Sequence, residues 1–267
     1  MLHVRSSAAP RGHAPATGFT IFELAIALFL TTLLLGGIFT PLQTQLDNRK
    51  TAETGQLLVE AREALLGYVA AHGHFPCPAD AASAGREPEG TDHATGRCPV
   101  YYGFLPAATL GFRKSDGNGY AADGWYSAGN VIRYAVSNQT IGPGGNTSAL
   151  TRAYGMRTAG LANLADPALS LFHVCDGAKG ASASGCGTAG TIVSTAPVVI
   201  WSAGPNAAVG AASSDEAQNP NTNGGSADRI FVSRVRSTAA GREFDDVVSW
   251  IPMPVLLGRM VAAGQLP

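Results

Sequence analysis

Four cysteines are the residues of this sequence whose chemistry is easiest to interpret. They are Cys77, Cys98, Cys175 and Cys186, in a chain of 267 residues. An even number of cysteines favours two disulfides in a protein that leaves the reducing cytoplasm. Pairing Cys77 with Cys98 and Cys175 with Cys186 closes the shortest loops, so we expect these two bridges.

Two other states of the cysteines remain open at this point. Zinc is one, because His72, His74 and His93 lie near the first cysteine pair in the sequence. Against zinc, structural sites usually show closely spaced ligand pairs, and the sequence contains no Cys-x-x-Cys. Free thiols are the other alternative. We expect the disulfides in preference to both.

A single carboxylate interrupts the most apolar stretch of the chain. Residues 19–40 contain one charged side chain, Glu23. A helix spans a bilayer with about 20 mostly apolar residues, so we expect a transmembrane or filament-core helix over 19–41. A carboxylate inside a membrane is costly, pairs with a partner and marks a functional site. Glu23 therefore requires an explanation that a plain membrane anchor does not supply.

The residues around Glu23 supply that explanation. The order Gly18-Phe19-Thr20-Ile21-Phe22-Glu23, followed at once by the apolar run, resembles the prepilin processing motif of type IV pilins and type II secretion pseudopilins. The resemblance implies that a prepilin peptidase removes residues 1–18 by cutting between Gly18 and Phe19, and that Phe19 is then N-methylated. A secretory signal differs, because its apolar region is short and precedes a small-residue cleavage site.

The resemblance also gives Glu23 a role in assembly. In a filament of such helices, Glu23 of one subunit would neutralise the amino terminus of Phe19 in its neighbour and so set the register. A satisfied pair offsets much of the cost of burial. The alternative is that Glu23 reaches the membrane interface near the start of the helix. The implied partners are prepilin peptidase, other pilin or pseudopilin subunits and an inner-membrane assembly platform. A net charge of −1 gives no signature for nucleic acid.

Three later segments resemble the C-terminal half of the major pseudopilin of type II secretion, in which the corresponding residues surround a calcium ion. They are Asp123-Gly124-Trp125 with Asn130 and Tyr134, Trp201-Ser202-Ala203-Gly204-Pro205-Asn206, and Ala227-Asp228-Arg229-Ile230-Phe231. This chain departs from the pattern by an insertion at 126–128 and by Asn206 where an aspartate is usual. Calcium needs several oxygens, usually including carboxylates. We therefore expect a solvated polar loop and no cofactor, and a calcium site with Asp215, Glu216 and Asp228 as ligands is the alternative.

Catalytic motifs are weak in this sequence. Asp116-Gly117-Asn118-Gly119 resembles the start of an EF-hand loop, but Ser127 stands where the loop requires glutamate. The sequence has no Gly-x-Ser-x-Gly elbow. We therefore expect a protein that is not an enzyme. A membrane-tethered periplasmic enzyme is the remote alternative, and it would need a nucleophile, a base and an orienting group in one pocket.

A helix must carry the apolar segment into the rest of the chain. Leu57, Ala61, Leu65 and Tyr68 fall on one helical face, and Gly73 is a plausible stop. The spacing predicts an amphipathic helix over 42–73 that continues the apolar one. Its buried face would be the surface on which a globular domain packs.

The domain itself is predicted over residues 74–267 as a periplasmic, β-rich unit. Strands are expected at Val131–Val136, at Thr191–Trp201 with a break at Pro197, and at Arg229–Ser233. Such strands form an antiparallel sheet whose apolar face covers the helix. A short helix is expected from Pro254 to about Ala263, because proline is favoured in the first turn.

Together these features predict an α+β fold. A long N-terminal helix, membrane-spanning in its first half, would pack against a small antiparallel sheet with long disulfide-stapled loops, the lollipop plan of pilins. The predicted function is that of an assembly subunit of a type IV pilus-like filament, and the size of the domain favours a minor pilin. The subunit would sit in the bacterial inner membrane with a cytoplasmic N-terminus and a periplasmic domain. A type II secretion pseudopilin is the alternative.

Overall fold

The chain forms two compact units, Met1–Asp47 and Asn48–Pro267. The computed structural model describes residues 18, 20–112, 115–125, 130–142, 148–182, 185–207, 213–219 and 229–267, without the side chains of 36–42. Within this part the fold is α+β, as predicted, with the helices and strands given below.

The first helix, α1, runs from Ile21 to His72 and belongs to both units. It ends where the sequence predicts. Gly73 adopts a φ of 75°, which favours glycine, and its N–H bonds to the carbonyl of Val69 at 2.7 Å. The second half of α1 has one buried face, which confirms the predicted spacing apart from the half-buried Tyr68. The buried residues are Thr54, Leu57, Leu58, Ala61, Leu65, Leu66 and Val69.

Seven strands follow α1 and form two sheets. They are β1 (Tyr102–Phe104), β2 (Arg133–Val136), β3 (Phe172–Cys175), β4 (Thr191–Ala196), β5 (Val198–Ser202), β6 (Ile230–Val232) and β7 (Val247–Ile251). The larger sheet is antiparallel with the order β1-β2-β5-β7. The smaller sheet has the order β4-β3-β6 and pairs β3 with β6 in parallel. The expected antiparallel sheet is therefore present, and the second, mixed sheet was not predicted.

The four-stranded sheet is covered on both faces, which explains why every residue of β5 is buried. Successive strand residues point to opposite faces. Val198 and Ile200 accordingly join the core that contains the buried face of α1. Val199 and Trp201 point the other way and pack with Phe231 of the smaller sheet. The layers of this unit are thus helix, sheet and sheet.

Three short helices complete the described fold: α2 (Gly155–Ala159), α3 (Leu161–Leu164) and α4 (Met253–Ala262). The last confirms the predicted C-terminal helix, with Pro252 as its N-cap and Pro254 in its first turn. Met253, Leu256 and Met260 of α4 are buried in the same core as α1. Both ends of the second unit therefore contribute to one core.

Two disulfides are present, with the predicted pairing. Cys77 and Cys98 have Cα atoms 5.5 Å apart, and Cys175 and Cys186 have Cα atoms 5.6 Å apart. The alternatives of zinc ligands and free thiols are therefore wrong, because all four sulfurs are in bridges. His93 lies near the first bridge but bonds through Nε2 to Glu87 at 2.9 Å. A disulfide that closes a loop of about 20 residues stabilises the fold by about 3 kcal/mol.

Candidate functional site

The segment from Gly18 to Glu23 carries the predicted processing and assembly residues. Thr20 is the residue before α1, and its Oγ1 accepts a hydrogen bond from the N–H of Glu23 at 3.2 Å. Thr-x-x-Glu is the spacing of a capping box, which satisfies backbone donors at the start of a helix. Glu23 therefore lies in the first turn, where the helix dipole favours a carboxylate. Phe19, the predicted new N-terminus, lies outside the described residues.

The first turns of α1 present apolar side chains on every side. Every residue from Ile21 to Leu35 is exposed, and the exposed fraction reaches 88% at Ile21 and 76% at Phe22. The large apolar members are Ile21, Phe22, Leu24, Ile26, Leu28, Phe29, Leu30, Leu33, Leu34 and Leu35. Monomeric soluble proteins rarely expose a continuous apolar surface of this extent. Exposed apolar surfaces of this extent are typical of sites that contact lipid or other protein chains.

The predicted transmembrane segment extends beyond Leu35 into residues 36–42, whose side chains lie outside the described part. Within the residues that the structure describes, no helix combines the length and the apolar character needed to cross a membrane.

Of the three calcium candidates, Asp215 and Glu216 are described, and they make different contacts. Asp215 pairs with Arg234 at 2.7 Å and accepts a hydrogen bond from the N–H of Ala178 at 2.8 Å. Asp228 lies outside the described residues. Glu216 instead meets Asp245 and Asp246, and one carboxylate oxygen from each lies within 4.8 Å of the others. Of the two candidates that the structure describes, Glu216 belongs to a cluster of oxygen ligands and Asp215 does not.

This cluster is buried, and burial changes its acid–base behaviour. Burial raises the pKa of Asp246 to about 8, with a further increase from Glu216 and Asp245 that the hydrogen bond from Asn219 opposes. Burial also raises the pKa of Asp245 to about 6, with Glu216 adding to the shift and Arg236 opposing it. Perturbed carboxyl groups that face one another are typical of functional sites.

Sequence reasoning did not single out Asp245 and Asp246 as site residues. The sequence did hold a usable signal: the two acids directly precede Val247-Val248-Ser249-Trp250-Ile251, a β-rich run that forms β7. β7 pairs with β5 along its whole length, so the residues that directly precede β7 are drawn into the fold with it. An acidic pair in this position is therefore a better candidate for a buried site than acids within a glycine-rich loop.

Two of the segments quoted for their resemblance to the major pseudopilin meet in the structure. Asp123 accepts hydrogen bonds from the hydroxyl of Ser202 at 2.5 Å and from the N–H of Trp125 at 2.8 Å. The side-chain amide of Asn130 donates to the carbonyl of Gly204. These contacts join the first segment to the turn that follows β5.

Comparison with known proteins adds nothing to these observations, since no protein-family model, curated protein or solved structure matches this chain.

One pair of side chains has the composition of a hydrolytic dyad. Ser170 Oγ lies 3.0 Å from Nε2 of the buried His173. Arg229 also contacts the serine of this pair: its Nη1 donates to Ser170 Oγ at 3.1 Å and to the Ser170 carbonyl at 2.9 Å. A hydrolytic triad instead orients its histidine with a carboxylate. Burial, with Arg229 nearby, lowers the pKa of His173. In the described part of the chain, the contacts of His173 include no carboxylate.

Proposed function

We propose that this chain is a structural subunit of a type IV pilus-like filament, with the role of a minor pilin. It acts by assembly rather than by catalysis. Prepilin peptidase removes residues 1–18, the new N-terminal Phe19 is methylated, and the apolar helix anchors the subunit in the bacterial inner membrane. The globular unit lies in the periplasm. An inner-membrane assembly platform then transfers the subunit from lipid to a bundle of similar helices.

The exposed apolar surface of α1 carries this proposal. Its side chains are exposed on every side from Ile21 to Leu35, so a single partner on one face would leave much of the surface in water. Lipid or a bundle of surrounding helices covers such a surface on all sides. Glu23 is the only charged residue in this stretch, directly after the motif that resembles a prepilin processing site. The single charge of Glu23, the exposed apolar side chains and the processing motif therefore support the same function.

A pseudopilin of type II secretion is the second candidate, and one observation favours it. Two of the three segments that resemble the major pseudopilin are joined by the bonds of Asp123 to Ser202 and of Asn130 to Gly204. Pilins and pseudopilins share the same processing and the same use of Glu23. The two candidates therefore differ in the machine that the subunit serves, and deletion of one machine at a time in the host separates them.

The processing step provides the direct test of the proposed function. The full chain is coexpressed with a prepilin peptidase, and the membrane-extracted product is analysed by intact mass and N-terminal peptide mapping. We expect loss of residues 1–18 and an N-methylated Phe19. The Gly18→Val variant should remain uncut, because the peptidase motif requires glycine before the cut. A Cβ at Gly18 meets no atom within 4 Å, so the substitution leaves the fold unchanged.

Gly117→Val is the matched control, since Gly117 also has no atom within 4 Å of an added Cβ and lies far from the motif in sequence. It should be cut as efficiently as the wild type. A wild-type leader that stays intact in the presence of active peptidase would disprove the processing step. Equal cleavage of Gly18→Val and wild type would show that the cut occurs elsewhere.

A further inference from the structure

Two histidines face each other in the second unit, at a place that the proposed function does not use. His74 follows the end of α1, and His93 lies in the loop that the Cys77–Cys98 bridge closes, called here the first disulfide loop. The centroids of the two imidazole rings are 4.0 Å apart, and the ring planes are tilted by 35°. His74 is buried and His93 is half-buried. Two positive charges this close, and partly removed from water, repel each other.

The hydrogen bonds of His93 determine how many protons its ring carries. Nδ1 lies 2.7 Å from the carbonyl oxygen of Thr151, which can only accept. Nε2 lies 2.9 Å from Oε1 of Glu87. The same Oε1 accepts from the N–H of Cys77 at 2.6 Å, so Glu87 acts as an acceptor on this side. Both ring nitrogens of His93 must therefore donate, which requires the charged imidazolium.

The contacts of His74 require only one ring proton. Its Nδ1 donates to the carbonyl of Phe75 at 3.1 Å, and a neutral imidazole can make this bond. Burial lowers the pKa of His74; the bond to Phe75 opposes this shift, and the charge of His93 adds to it. Burial also acts against the charge on His93, but the bonds to Glu87 and Thr151 outweigh it and raise the pKa of His93. The folded pair therefore favours one positive charge, on His93.

Other ionisable groups surround the pair and Glu87. They lie on α1, on the first disulfide loop, on β2 and beside Thr151: Tyr68, His72, Asp92, Tyr134 and Arg152. Burial, with Glu87 nearby, raises the pKa of Tyr68 to about 12 and that of Tyr134 well above its usual value. Both tyrosines are thus neutral wherever histidine titrates. His72 is exposed, and its ring meets that of His74 at an edge, with centroids 6.1 Å apart.

We propose that His74 and His93 form a pH-sensitive contact between the first disulfide loop and the end of α1, which is strongest when the pair carries one positive charge. The folded pKa of His74 is lowered, so its contribution to stability is lost as the pH falls from about 6.5, the usual pKa of histidine, through that folded pKa. The folded pKa of His93 is raised, so its contribution is lost as the pH rises from about 6.5 through that folded pKa.

The middle of the first disulfide loop is the part that this contact controls. The N–H of Ala153 donates to the carbonyl of His93 at 2.8 Å, and Oγ1 of Thr151 donates to the carbonyl of Gly96 at 2.7 Å. The bridge fixes the ends of the loop, whereas these bonds and the histidine pair hold its middle. A second charge on the pair therefore separates the middle of the loop from His74 without breaking the bridge.

This proposal does not depend on the filament hypothesis. His74, His93 and the groups around them all lie in Asn48–Pro267, whereas the exposed apolar side chains of α1 from Ile21 to Leu35 lie in Met1–Asp47. An uncut leader would leave the histidine pair as it is, and a pair that titrates normally would leave the processing step as it is. Either proposal can fail alone.

Titration of the histidine rings by NMR tests the proposal directly. The full chain, labelled at its histidines, is kept in a non-ionic detergent, and the Cε1–H signals are followed from pH 4.5 to pH 9. We expect His93 to titrate above about 6.5 and His74 below it. In His93→Gln the pKa of His74 should rise, because the neighbouring charge is gone. Equal pKa values for the two histidines in the wild type, or the reverse order, would overturn the proposal.

Thermal melting of three variants tests the effect on stability. Because many other groups titrate, each variant is compared with the wild type over the same pH interval. From pH 6.5 to pH 5, the wild type should lose about 3 °C more in Tm than His74→Gln. From pH 6.5 to pH 8, it should lose about 3 °C more than His93→Gln.

His72→Gln is the matched control, because His72 belongs to the same group of rings but is exposed. Its pH dependence should follow the wild type over both intervals. The same pH dependence in the wild type, His74→Gln and His93→Gln would show that the pair has no effect on stability and would overturn the proposal. So would a His72→Gln variant that changes the acid interval as much as His74→Gln does.

Discussion

Glu23 already has a structural role within its own chain. It occupies the first turn of α1, and its N–H is bonded to the Thr20 hydroxyl. The sequence interpretation considered a partner on another subunit or the membrane interface, but not this capping box. The two roles use different atoms, since the cap shown here involves the backbone N–H while the exposed carboxylate remains available. A single residue can therefore start the helix and set its register in an assembly.

Exchange of Glu23 for glutamine separates these two roles. Glutamine also suits this position of a capping box, so Glu23→Gln keeps the helix start and removes only the charge. We expect a processed subunit whose amount in sheared filaments falls by about a hundredfold, because loss of one partner of a buried ion pair costs about 3–5 kcal/mol. Filament content is measured by immunoblotting against the membrane-bound pool.

Thr20→Ala is the complementary variant. It removes the cap, at a cost of about 1 kcal/mol, and leaves the charge of Glu23 in place. Its incorporation should stay near the wild-type level. If Glu23→Gln assembles as well as wild type while Thr20→Ala does not, the cap rather than the charge governs assembly, and the register hypothesis is wrong.

At the scale of elements, the second half of α1 is the helix against which the antiparallel sheet of the second unit packs. Leu58, Ala61 and Leu65 pack in the same cluster as Tyr134 of β2 and Ile200 of β5. On this half the exposed positions, among them Glu53, Glu60 and Glu63, are mostly polar. The amphipathic pattern that the sequence shows over residues 42–73 is thus used to bury one face against the antiparallel sheet.

Truncation of one buried side chain on α1 measures how much this packing contributes to the free energy of unfolding. Leu65 is completely buried, so Leu65→Ala should lower the free energy of unfolding by about 2–5 kcal/mol. Val59 lies on the same helix but is 50% exposed, so Val59→Ala should change it by no more than about 0.5 kcal/mol. Denaturant unfolding followed by tryptophan fluorescence provides both values. Similar losses in the two variants would mean that α1 does not pack as described.

The sequence predicted the elements whose pattern is strong and local. The buried face of α1, its end at Gly73, the start of α4 and the strands β2 and β6 all follow from spacing and from stop signals. The break at Pro197 was also predicted, because proline lacks the N–H that a ladder needs. The consequence of this break was not predicted. Ala196 ends β4 in the smaller sheet, and Val198 begins β5 in the larger sheet.

The missed elements depend on distant partners. β1 is a three-residue strand around Gly103, and a residue with no side chain gives no β signal. β3 is a four-residue strand that exists because β4 and β6 pair with its two edges. The carboxylate cluster has the same origin, since Glu216 and Asp245 are far apart in the sequence and are brought together by the fold. Local pattern carries no information about such contacts.

At the scale of the whole molecule, the two units differ in whether their apolar side chains are exposed or buried. The described side chains of the first unit leave an apolar helix exposed, whereas Asn48–Pro267 has its own core and both disulfides. A unit with a complete core is expected to fold independently. The described part of the first unit, by contrast, leaves its apolar side chains exposed.

Expression of residues 48–267 alone tests this division. Exported to an oxidising compartment, the fragment should be soluble and monomeric by size-exclusion chromatography, and thiol titration of the denatured fragment should detect no free thiol before reduction. The full chain should need detergent, because exposed apolar surface of this extent drives association in water. An aggregated fragment with mixed disulfides would show that the second unit depends on residues before Asn48.

The position of β7 in its sheet also determines when this fold can be completed. β5 has β2 on one edge and β7 on the other, and residues 247–251 of β7 are synthesised after both of these strands. Until they emerge, β5 has an open edge, and the core lacks α4 as well. Pairings between such distant segments form slowly, because loop closure precedes any gain from contacts. The nascent chain is therefore held back from its native state until β7 and α4 are available, and during that interval an open strand edge requires protection from neighbouring chains.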